Sequence, residues 1–146
     1  MDTPLYTQAA ALAEANAVAL TIVNPDATPS IVGKVRLFNA TLVPTVLTTK
    51  AELVAAEAAF TGYPAGGYTL GEFNPAILAT GGGAVVYAPT IPVQYTAGDP
   101  ASIGGYWVEG ESGLVRLVYN YSPARQLAVD GDGWPIVVSL GYGRNA

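Results

Sequence analysis

Gly105-Tyr-Trp-Val-Glu109, Gly110-Glu-Ser-Gly113 and Leu114-Val-Arg-Leu-Val-Tyr-Asn-Tyr121 follow one another without a break. They read as two strands joined by a four-residue loop, a β-hairpin. Tyr119 and Tyr121 share one face of the second strand, because side chains alternate with period two. Tyr106 and Trp107 point to opposite faces of the first, so one of that pair is expected to face away from the core.

Outward from the hairpin the β pattern continues. Lys34-Val35-Arg36-Leu37 alternates polar and apolar, as a half-buried strand does. Ala84–Ala88 and Pro92–Thr96 are short strand candidates. Asp130-Gly-Asp132-Gly is a turn, and Trp134–Leu140 is the expected last strand. Thr49-Lys-Ala-Glu52 is a capping box opening a short helix at about 49–60, with Leu53, Ala56 and Phe60 on one face and Gly62 as its stop. Thr3-Pro4 reads as the N-cap and first turn of an Ala-rich helix running to about Leu20. Its apolar face is thin, mostly Ala with Leu5, Leu12 and Val18, so the helix is marginal alone and either lies on the domain or packs on a neighbour. Residues 24–29 then read as an irregular linker. The expected fold is α+β, mainly β: an antiparallel sandwich or barrel with one short helix and an N-terminal helical arm. Residues 1–30 form the arm and linker, and 31–146 the β-rich domain.

Composition narrows the function. The chain has six Lys and Arg and eleven Asp and Glu among 146 residues, so 12% are charged while 51% are hydrophobic. Soluble domains carry about 25% charged residues. Interface cores are poor in charge and rich in Tyr and Trp, and this chain has nine Tyr and two Trp. Much of the surface is therefore expected to meet protein. Leu5, Leu12, Tyr106, Trp107, Tyr119 and Tyr121 are the candidate interface residues. A net charge of −5 with scattered cations argues against nucleic-acid binding. The longest apolar stretch, Ala9 to Val23, is polar-interrupted and short of a membrane span.

With no His and no Cys, Ser-His-Asp chemistry and thiolate metal sites have no ligands to use. A Ser-Lys dyad would have only Lys34 and Lys50. Gly81-Gly-Gly83 lacks the pattern of a phosphate-binding loop and reads as a flexible connection. Asp99, Glu109, Glu111, Asp130 and Asp132 could be paired as glycosidase carboxylates, but all lie in or beside Gly-rich turns and are expected to be solvated. Asp130 and Asp132 could offer two oxygens to calcium, short of the six to eight it takes. No catalytic, cofactor or metal residue is therefore assigned.

The run Lys34-Val-Arg-Leu-Phe-Asn39, then Pro44-Thr45, then the helix from Glu52 to Ala59 ending in Phe60-Thr-Gly-Tyr63, resembles a group of small tailed-bacteriophage virion proteins. So do Gly104-Gly-Tyr-Trp-Val108, the hairpin and the Asp-Gly turn. The resemblance spans about residues 34–141. It implies a non-enzymatic component of the virion, a decoration or cement protein on the capsid surface. The charge deficit predicts a homo-oligomer, and the resemblance further implies a trimer on a local symmetry axis that binds the major capsid protein. Residues 1–30 would be an arm reaching a neighbouring subunit. The alternative is a β-rich receptor- or glycan-binding module of a tail fibre or tail tip, its Tyr-rich strands stacking on sugars.

Overall fold

The structure is a computed structural model and describes residues 7–79 and 83–142. It is α+β and mainly β, with every strand pair antiparallel. In chain order the elements are α1 (Gln8–Ala19), β1 (Gly33–Asn39), α2 (Lys50–Ala55), β2 (Tyr68–Leu70), β3 (Ile77–Leu78), β4 (Ala84–Tyr87) and β5 (Ile91–Gln94). They continue with β6 (Ala101–Glu109), β7 (Val115–Leu127), β8 (Gly133–Ile136) and β9 (Ser139–Tyr142). The main sheet has the order β2-β1-β6-β7, and two smaller sheets are β3-β4-β9 and β5-β8.

The alternation read along β1 decides the layering. Val35 and Leu37 face inward, and across the register lie Val108 and Tyr106 of β6. These pack with Ile91 and Val93 of β5 and Ile136 of β8 in the main core, so the β5-β8 pair covers one face of the large sheet. Phe38 and Trp107 face the other way, where Leu53 of α2 covers them in a second small core. Gly105 is needed where β6 meets β7: a Cβ there would collide with the Tyr119 carbonyl and lie 2.7 Å from the Phe38 ring. The hairpin closes through Gly110 N–H to the Leu114 carbonyl at 2.9 Å. Both its strands run beyond the expected ends, β6 starting at Ala101 and β7 continuing to Leu127.

Four expectations about elements are corrected. Half of the capping box forms, with Glu52 N–H donating to Thr49 Oγ1 at 3.3 Å while the Glu52 carboxylate accepts from the Thr49 hydroxyl instead of its N–H, and the helix ends at Ala55 rather than near 60. The chain leaves it to line the edge of β1: Asn39 N–H donates to the Ala56 carbonyl and Ala58 N–H to the Leu37 carbonyl. Phe60 consequently joins the main core while Leu53 lies in the second. The last expected strand is two, because β8 pairs with β5 and β9 with β4. The stretch 73–79, open in sequence as strand or loop, holds the two-residue strand β3, while the three residues of β2 give no period to read.

The Ala-rich helix starts later than expected. Thr7 caps it, its Oγ1 accepting from Ala10 N–H at 3.1 Å, and Thr3-Pro4 and Leu5 lie outside the described residues. Its Ala face lies on its own chain, the first of the two expected placements. Ala11, Ala15 and Ala19 are buried against Ala84 and Val86 of β4, and Asn16 Oδ1 accepts from Ala76 N–H at 3.0 Å. Small side chains let the helix approach closely, so a thin face still makes a packed one. Residues 20–31 are not a free linker: Ile22 and Val23 enter the main core, and Asn24 and Ile31 exchange both backbone hydrogen bonds at 2.9 Å. Gly81 and Gly82, within the expected flexible connection, lie outside the described residues.

Candidate functional site

Three features stand out, one on each face of the main sheet and one on the loop between β1 and α2. The first is built from the outward positions of β1. Arg36 sits beside Trp107 in the register and Lys34 beside Glu109. The Arg36 guanidinium grips Glu57 with two bonds, Nε to Oε2 and Nη2 to Oε1, both 2.7 Å. Its Nη1 donates to Glu109 Oε2 at 3.0 Å. That same oxygen accepts from Trp107 Nε1 at 2.7 Å, and Lys50 Nζ lies 3.5 Å from Oε1. Tyr63 OH donates to Glu57 at 2.7 Å and accepts from Leu37 N–H at 3.1 Å.

The electrostatics match this geometry. The Arg36 hydrogen bonds hold the Glu57 carboxyl below its usual range; burial opposes the shift and Tyr63 reinforces it. Burial raises the Tyr63 phenol, and its bond to Glu57 adds to that. Two carboxylates and two cations balance, and both carboxylates are engaged as acceptors. The cluster therefore acts as a brace, tying the 56–58 segment and the start of α2 to β1 and β6. Here Glu109 corrects an expectation: it is buried. Its place at a strand end hid this, because only the register brings it beside Arg36 and Lys50.

On the opposite face the hairpin places Tyr106 across from Tyr119. Their rings stack with centroids 5.3 Å apart and 9° between planes. Tyr121 meets Tyr119 edge-on at 5.5 Å and Trp134 at 5.6 Å. Trp134 Nε1 donates to Tyr121 OH at 2.8 Å. Arg125 lies over both, its Cζ 5.1 Å from the Tyr121 ring and 5.7 Å from that of Trp134. These side chains, Leu117, residues 135–137 and Ser139 line a groove of about 430 Å³. Burial and the neighbouring Tyr121 and Tyr119 phenols push the Tyr106 phenol up to about 12.

The third feature is the loop between β1 and α2. Thr45 and Thr48 close it into a turn: Thr48 Oγ1 accepts from Thr45 N–H at 2.7 Å and Thr45 Oγ1 from Leu47 N–H at 3.1 Å. Leu42 anchors it against the second core. The turn then points apolar side chains at solvent, with Val43 74%, Val46 102% and Leu47 82% exposed. The sequence signal is Leu42-Val-Pro-Thr-Val-Leu47, an apolar run broken by Pro and lacking any strand or helix period.

The candidate interface residues divide. Trp107 is 0% exposed and belongs to the core beneath α2, so it is not a contact residue. Tyr106 is buried too, under Tyr119. Tyr119 is 51% exposed and Tyr121 is half-buried, both in the groove. Leu12 is half-buried against the β4 side, and Leu5 lies outside the described residues. Arg125 and Trp134 are the groove residues that sequence reasoning did not place, since Arg125 lies past the expected end of the hairpin's second strand and Trp134 comes from β8.

Asp132 supports its own turn, one carboxylate oxygen accepting from Ala128 and Val129 N–H at 2.9 Å each, and these bonds lower its carboxyl from the usual value. Among the described residues no group of three or more metal-binding side chains converges. No described helix is long and apolar enough to cross a membrane. Comparison with protein-family models, with curated proteins and with solved structures gave no match.

Proposed function

We propose that this chain is a non-enzymatic structural protein of a phage particle, a decoration or cement protein on the outer surface of the head shell. The observation that carries the reading is the Thr45–Thr48 turn. Disordered loops with apolar residues can collapse onto their own domain. This one is held by its own hydrogen bonds in a shape that keeps Val43, Val46 and Leu47 out in water. Clustered exposed apolar side chains mark contact sites. Burying three of them in capsid protein would contribute about 1.5–3 kcal/mol each before association costs are subtracted. Repeated over a lattice, contacts of that size hold capsomers together through multivalency.

Two further features support the reading. The resemblance to small virion proteins covers β1, the turn, α2 and the hairpin. And β7, thirteen residues long, is an edge strand of the main sheet. Open edges pair readily with another chain, which suits a homo-oligomer, a trimer in this proposal. The test is co-sedimentation with head shells of the encoding phage that lack the protein, followed by imaging of the decorated shells. Val46→Asp combined with Leu47→Asp should leave the melting temperature unchanged and abolish binding. Shells that bind the double variant as well as the original chain would overturn the reading, as would finding the protein only in tails.

A further inference from the structure

We propose that the groove between β7 and residues 134–139 binds a saccharide carrying a carboxylate. The inference is independent of the virion reading and uses a different face of the molecule.

The groove combines two recognition elements. The first is aromatic. Tyr119 is half exposed and is backed on one side by Tyr106, while Trp134 is fixed by its bond to Tyr121 OH. Rings locked in this way offer apolar faces for the C–H faces of a sugar without an ordering cost on binding. The Tyr119 and Tyr121 phenols and the Ser139 hydroxyl add polar groups to the lining. The volume of about 430 Å³ falls in the range of small-ligand sites.

The second element is charge. Arg125 is exposed, its Cζ lies 5.1 Å from the Tyr121 ring and 5.7 Å from that of Trp134, and it forms no ion pair among the described residues. The groove lining contains no Asp or Glu. In a chain of net charge −5, a groove whose one formal charge is positive is complementary to an anion. The planar guanidinium matches a carboxylate with two parallel hydrogen bonds, and its cation–π contacts with two rings hold it beside the aromatic surface. A simple anion would leave the rings unused, and a neutral sugar would leave Arg125 unused. A uronic or sialic acid unit uses both.

Trp134 provides the readout. Trp107, the other tryptophan, is sealed in the core on the opposite face, so a ligand-dependent change in emission reports on the groove. Oligogalacturonate and sialyllactose are titrated into the intact chain, with maltotriose and lactose as neutral counterparts, and sulfated lactose and a Glu-rich peptide as other anions. The expected result is saturable quenching by at least one of the two carboxylated saccharides at least tenfold tighter than by the neutral and sulfated ones and the peptide. Arg125→Gln should remove that preference without change in melting temperature, and Tyr119→Ala should weaken binding roughly tenfold, about 1.4 kcal/mol, with the β-sheet signature in circular dichroism retained. The Val46/Leu47 double variant should bind saccharide normally, which separates this site from shell attachment. No saturable change with the original chain up to about 10 mM carboxylated saccharide, tighter binding of the sulfated sugar or the peptide, or equal binding of neutral sugars would each overturn the proposal.

Discussion

Removing Glu109 tests whether the polar cluster on the outer face of the main sheet is a brace or an ornament. In Glu109→Ala the Trp107 Nε1 loses its acceptor at 2.7 Å. An orphaned buried donor costs about 1–3 kcal/mol. Arg36 loses one of its two carboxylates, yet keeps both bonds to Glu57, so the ~3–5 kcal/mol typical of a stranded buried charge is an upper bound. Together these give a loss of about 2–4 kcal/mol. For a chain of this size, where each kcal/mol shifts the melting temperature by about 2–4 °C, the drop should be roughly 5–15 °C. Glu109→Gln keeps an acceptor for Trp107 and loses only the charge facing Arg36 and Lys50, so it should cost about 1–2 kcal/mol. Glu72→Ala, on an exposed loop residue, should fall within about 0.5 kcal/mol of the original. Urea denaturation gives all three values at constant slope. If Glu109→Ala costs no more than Glu72→Ala, or if Gln proves as damaging as Ala, the brace is not what holds this face.

Acid should act through Glu57, whose carboxyl Arg36 holds below its ordinary value. The native state binds that proton more weakly than the unfolded chain does. The contribution is therefore complete above the unfolded value near pH 4.3 and is lost as pH falls through the lower native value. Denaturation midpoints measured from pH 6 down to pH 2, as order-of-magnitude bounds on that window, should fall less steeply in Glu57→Gln than in the original chain. Trp107→Ser should cost about 3–5 kcal/mol, as for a core aromatic, and a loss below ~1 kcal/mol by the same assay would place Trp107 at a surface instead. Ala15→Leu should destabilise by about 1–3 kcal/mol through overpacking of α1 on β4, and hydrogen exchange should show residues 8–19 protected in the free protein. An unprotected helix and a neutral substitution would mean that α1 is held by something other than its own chain.

The sequence by itself determined the parts whose cause is local. The Gly110–Gly113 loop, the alternation of Lys34 to Leu37 and the Thr49–Glu52 cap each act within a few residues, and all three are found where the pattern puts them. The antiparallel, mainly β class follows from them. The placement of Tyr119 and Tyr121 on one face is likewise set by strand period alone. What depended on pairing between distant segments was decided only by the tertiary structure. The end of α2 is set by the open edge of β1, which takes residues 56–58 as a partner. Trp107 is buried rather than exposed because Leu53 happens to cover that face. Glu109 is buried because Arg36, Lys50 and Trp107 meet it there. The Ala-rich helix lies on its own domain because Ala84 and Val86 present a flat, small-residue surface to it. Period and capping report which way a side chain leaves the backbone. What stands opposite it depends on chain segments that are remote in sequence, and it is that partner which turns a strand-end glutamate into a brace and a lone arginine into the charge of a groove.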